Sequence, residues 1–178
     1  MRSYLGYGFV LLLLAIRPLG AMGMMKIPVK QTYQYSAQVM RIVDGDTIYV
    51  ADKNGLKHKL RLANIDAPEL SQAYGKASKE SLGRLAYKEV WVKVNYLDKF
   101  HREVADVFLK QEDVNLQQVK GGQAWLFTRY AQENLKPERL QQYTEAERSA
   151  RFQKKGLWKN PSAVPPWIFR KKADVRAF

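Results

Sequence analysis

The 178-residue chain has no cysteine and only two histidines, His58 and His101. Without thiols there can be no disulfide, no thiolate metal centre and no Cys nucleophile. Nothing in the sequence suggests a zinc site, and His58 reads as a solvated strand residue rather than a ligand. Acids are scarce too, with 17 Asp and Glu against 30 Lys and Arg. No apolar run reaches the roughly 20 residues that a spanning helix needs. Internal repeats and low-complexity linkers are also missing.

What is present is positive charge. The formal net charge is +13 and the sequence pI about 9.9, which points first to nucleic acid or another anionic partner. Arg2 precedes the twelve mostly apolar residues LGYGFVLLLLAI (5–16), followed by RPLGAMG with small residues near Ala21. This is the pattern of a secretory signal. The expectation is an exported protein, periplasmic or secreted, that loses residues 1–21. The alternative is an uncleaved N-terminal anchor. Cleavage removes Arg2 and Arg17, so +13 becomes +11 and the basic character stays with the mature chain. Residues 22–34 form a short lead-in.

From Tyr33 on, strands come first. YSAQVMRIV (35–43) and IYVAD (48–52) are rich in β-formers, and Asn54-Gly55 signals a two-residue hairpin into KHKLRLANI (57–65). Helix is expected over 71–88, strands over 90–96 and 102–109 around a DKFH turn, and a short helix with Asn115 as N-cap. A last helix starts near Pro137 and stops before Gly156, with Leu140, Tyr143, Ala146 and Ala150 facing inward. Five strands with a helix after the third predict an α+β, mainly β, five-stranded OB-type barrel with about three helices. The folded domain is placed at 35–160, ahead of a basic Pro/aromatic tail at 161–178.

Three stretches carry chemistry. In DGDT (44–47), a plain hairpin turn would account for the pattern by itself. In RLANIDAPE (61–69), Arg61, Asp66 and Glu69 flank a short apolar strand that Pro68 ends. The turn can bring Glu69 back beside Arg61 and leave the Ala67 carbonyl facing a cation. Asp46 and Asp66 sit at strand ends of one meander. Two carboxylates and a carbonyl are hard oxygen ligands that suit Ca²⁺ and leave room for a phosphate. In DKFHREVADV (98–107), Arg102 follows a turn and offers a second fork for phosphate opposite Arg61.

Taken together and in this order, these stretches closely resemble the staphylococcal nuclease (thermonuclease) family over residues 35–160. GGQAWLFTRYAQ (121–132) and the GLW…VPPWIFRKK end look like secreted and plasmid-borne bacterial members. The resemblance implies an OB barrel, Ca²⁺ on Asp46, Asp66 and the Ala67 carbonyl, and catalysis by Arg61, Glu69 and Arg102. It also implies hydrolysis of DNA and RNA to 3′-phosphates. Phe100 and His101 stand where Tyr and Gly are usual, and Ala67 where Thr is common. Lys99, Phe100 and Tyr130 are the candidate nucleic-acid contacts, with single strands favoured because exposed rings stack on unpaired bases. Trp125 and Phe127 are assigned to the core. The protein is expected to act as a monomer without stable membrane association. The competing reading is a non-catalytic OB-fold nucleic-acid-binding protein, which has no need of the full charged set.

Overall fold

The computed structural model describes residues 32–175. The signal-like segment lies outside them. Among the described residues no helix is long and apolar enough to cross a membrane. Strands β1 (Tyr33–Ile42), β2 (Thr47–Asp52) and β3 (Lys57–Leu62) form the expected meander, each pair antiparallel. The hairpin between β2 and β3 is wider than a two-residue turn. Asp52 N donates to Leu56 O, and the Asp52 carboxylate accepts from Asn54 N and Leu56 N. Gly55 supplies the left-handed residue at φ +78°, so the loop is the three-residue type with a bulge.

β3 ends at Leu62, short of the expected Ile65. Asn64 turns the chain at φ +64°, and Ile65–Asp66 form β4, which pairs with β8 (Trp125–Leu126). The two-residue pleat therefore does not carry through Ala63, and Ala63 and Ile65 are core residues. β5 (Glu89–Leu97) and β6 (Glu103–Leu109) pair antiparallel, and β5 returns to β1. Parallel pairing of β3 with β6 closes the barrel in the order β1-β2-β3-β6-β5, the OB arrangement. A short β7 (Glu112–Asp113) extends β6.

Alternation fills the interior. Val39, Ile48, Val50, Leu60, Leu62, Val92, Val94 and Val107 are all buried, each worth about 1.5–3 kcal/mol relative to exposure. Among the described residues five α-helices surround the barrel rather than about three: α1 (Gly75–Gly83), α2 (Val114–Lys120), α3 (Thr128–Asn134), α4 (Pro137–Phe152) and α5 (Pro166–Val175). α1 is shorter than expected, because residues 69–74 form tight turns (Gln72 N to Glu69 O, Gly75 N to Gln72 O). Asp113, not Asn115, caps α2 by accepting from Leu116 N. Asn115 is instead fully buried and ties Ala63 O, Ala105 O and Val107 N together. α4 presents the expected face: Tyr143 and Ala150 are buried, and Leu140 and Ala146 pack against the core. His58 is not solvated. Its Nδ1 meets Glu103 Oε1 at 2.7 Å and its ring packs on Tyr35 at 4.7 Å.

Candidate active site

The DGDT turn owes its glycine to close approach rather than to a left-handed backbone. A Cβ on Gly45 would fall 1.8 Å from Ser78 Oγ and 2.7 Å from Ala67 Cβ. Gln118, buried on α2, donates to Gly45 O at 2.9 Å. The turn is thus clamped between α1, α2 and the Ala67 segment, and this clamp aims Asp46.

Asp46 accepts from Ala67 N at 2.6 Å and from Thr47 Oγ1 at 3.0 Å. Arg61 emerges from β3 opposite Thr47 and divides its guanidinium between two acids. Nη1 lies 3.1 Å from Asp46 Oδ2 and Nη2 lies 2.9 Å from Asp66 Oδ1, while Nη1 also donates to Leu62 O at 3.0 Å. Asp66 is held by the short β4–β8 pairing and its side chain is 1% exposed. Burial, with Asp44 and Asp66 nearby, pushes the Asp46 carboxyl up to about 7, against the opposing pull of Arg61 and the Ala67 N–H.

These groups line one cleft of about 630 Å³, together with Ala67, Glu69, Lys99, Phe100, Arg102 and Tyr130. Every site residue expected from the sequence is on its wall. Arg102 pairs with Asp98 of its own turn, Nε to Oδ2 at 2.7 Å, and its guanidinium lies 5.4 Å from the Phe100 ring centroid. The turn admits His101 at φ +58°, a conformation that suits glycine. Phe100 is 65% exposed and Tyr130 40% exposed. Trp125 is core, as expected. Phe127 is only partly buried and lines the cleft, packed edge-on to Tyr130.

Several residues of the cleft were not foreseen. Asp98 could have been: an Asp that starts a turn and accepts from Phe100 N and Arg102 N is an Asx signature. Arg170 could not. It comes from α5, inside the stretch read as a tail, and reaches Asp66 and Glu69 across more than a hundred residues of sequence.

Among the described residues no group of three or more His, Cys, Asp or Glu side chains is disposed around a metal position. The oxygens of Asp46, Asp66 and the Ala67 carbonyl are hard donors, in a pocket whose acids pair with the Arg61 and Arg170 guanidiniums. They fit a hard cation and not zinc.

The family model described as staphylococcal nuclease homologue matches residues 59–160, more than half of the chain. The chain belongs to the staphylococcal nuclease family. It is 34% identical to a micrococcal nuclease of Shigella flexneri over 169 residues, covering 89% of this chain and 94% of that one. An uncharacterized endonuclease of Haemophilus influenzae is 33% identical over 141 residues, covering 79% and 75%. A further uncharacterized endonuclease, from Escherichia coli O157:H7, is 37% identical over 135 residues, covering 75% and 83%. This family member is a phosphodiester-hydrolysing nuclease.

Proposed function

We propose that this nuclease is Ca²⁺-dependent, cleaves DNA and RNA with a preference for single strands, and leaves 3′-phosphates. The observation that carries this reading is Arg61 held between Asp46 and Asp66, at 3.1 and 2.9 Å, on the wall of a cleft shared with Glu69 and Arg102. Asp46, Asp66 and the Ala67 carbonyl would hold the ion. Bound there, Ca²⁺ supplies charge neutralisation and polarisation of a phosphate oxygen.

The chain's own groups do the rest. Arg61 and Arg102 donate to the non-bridging oxygens and stabilise the charge that grows as the phosphorus becomes five-coordinate. Glu69 accepts the proton of the attacking water. A P–O bond to that water forms and the P–O5′ bond breaks, the 5′ oxygen taking a proton from solvent to leave as a hydroxyl, so that the phosphate stays on the 3′ oxygen. Phe100 and Tyr130 offer exposed ring faces at the cleft, and base stacking of that kind needs unpaired bases. Lys99, 5.0 Å from the Phe100 ring centroid, adds backbone charge.

The test is turnover of matched single-stranded DNA, duplex DNA and RNA in chelator and then in Ca²⁺, with end-group analysis of the products. Chelation is expected to abolish cleavage and Ca²⁺ to restore it. Mg²⁺ should restore it poorly, since it demands tighter octahedral geometry. Glu69→Gln is expected to lower the rate by roughly 10²–10⁴ in a folded protein. Full activity in chelator refutes the metal assignment. The same reading places the enzyme outside the cytoplasm as a monomer lacking residues 1–21. Mass spectrometry of the exported protein checks this, and an intact Met1 there would make the N-terminus an anchor.

A further inference from the structure

α5 lies outside the stretch matched by the family model, yet it delivers a third arginine to the centre of the cleft. Arg170 Nη2 lies 2.7 Å from Asp66 Oδ2, Nη1 3.2 Å from Asp66 Oδ1, and Nη1 also 2.7 Å from Glu69 Oε1. Arg61 Nη2 already takes Asp66 Oδ1 at 2.9 Å. Both oxygens of a buried carboxylate are therefore capped by guanidinium. A carboxylate in that state has few lone pairs left for a metal.

The contact is also built for release. The Arg170 side chain is 43% exposed while that of Asp66 is 1% exposed, so water can take over the guanidinium but not the acid. One turn earlier on the same face, Trp167 stacks on Phe127 at 5.2 Å and packs edge-on to Trp125 at 5.8 Å. This aromatic anchor holds α5 in place whichever way Arg170 turns.

We propose that Arg170 is a surrogate cation: it neutralises Asp66 and Glu69 while no metal is bound and must swing away before one can bind, so that α5 sets the ion concentration at which the nuclease switches on. The inference rests on the Ca²⁺ reading above. If the guanidinium holds the acids about nine-tenths of the time, the apparent dissociation constant for Ca²⁺ is about tenfold weaker than the open site's.

The experiment is calorimetric Ca²⁺ titration of the full chain without nucleic acid, with thermal melts to confirm folding. Arg170→Ala is expected to bind Ca²⁺ about tenfold more tightly than the wild type. Arg170→Lys, which keeps the charge but cannot bridge two carboxylates, should show most of that gain. Lys172→Ala, an exposed charge on the same helix, should show none. Asp66→Asn should lose binding in every background. Unchanged affinity in Arg170→Ala, with binding still dependent on Asp66, overturns the surrogate role and leaves the metal assignment standing. Equal tightening in Arg170→Ala and Lys172→Ala also overturns it, since a diffuse field would then account for the effect. No Ca²⁺ binding in either wild type or Arg170→Ala refutes the metal assignment itself.

Discussion

Gly45→Ala is a single-methyl change that tests how the site is held. The added Cβ would meet Ser78 Oγ at 1.8 Å, and Ser78 Cβ and Ala67 Cβ at 2.7 Å each. The hydroxyl can rotate, at the cost of its 2.7 Å bond to Gln123 O. The two Cβ atoms cannot. Ordinary contact begins near 3.4 Å, so the turn must back away from α1 and Ala67 by about 0.7 Å. That movement pulls Asp46 off Ala67 N, now 2.6 Å distant, and off Arg61. Overpacking of this size costs about 1–3 kcal/mol, and a misplacement near 1 Å at a catalytic group costs about 10²-fold in rate. Urea unfolding and initial rates on a single-stranded oligonucleotide read the two effects. A cycle with Ser78→Gly should show a favourable coupling of about 1–2 kcal/mol, because the partner's side chain is gone. Gly83→Ala is the control: nothing lies within 4 Å of its Cβ, and it should be neutral or slightly stabilising. A Gly45→Ala enzyme with wild-type rate and stability within 0.5 kcal/mol would mean that close packing does not aim Asp46.

Three other outcomes are expected. Arg61→Lys keeps the charge but loses the fork that joins Asp46 and Asp66, so turnover should fall by roughly 10²–10³; undiminished kcat would remove the fork from the mechanism. Asn115→Ala leaves Ala63 O, Ala105 O and Val107 N without their buried partner and should cost about 2–4 kcal/mol in denaturant melts, whereas a cap on the surface would cost about 1. In chelator, Asp46 should make stability fall as pH rises. Its carboxyl ionises near 4 in the unfolded chain and at about 7 in the fold, so the folded form holds a proton across that window that the unfolded form has lost. The contribution is complete below pH 4, is gone above 7, and is at most about 4 kcal/mol; Asp46→Asn should abolish that part of the slope, and an identical slope in the variant would assign it to other groups.

The barrel strands were legible in the sequence because their signals are local: a two-residue alternation, β-branched residues and turn formers. The acids and arginines of the cleft were legible because they cluster in three short stretches around strand ends. Local signals also misled. Asn115 sits where a cap belongs, but a buried amide that can satisfy three backbone groups serves the core better, and Asp113 caps in its place. The alternation through KHKLRLANI ran on past Leu62, but Asn64 turns the chain so that Asp66 can join Trp125 in a second small sheet. What only the tertiary structure decided are the contacts between distant elements: Gln118 under Gly45, the β3–β6 closure, and Arg170 brought by an aromatic anchor onto Asp66 and Glu69. The Arg170 guanidinium meets Asp66, a buried carboxylate whose need for a cation arises only when the fold withdraws it from water.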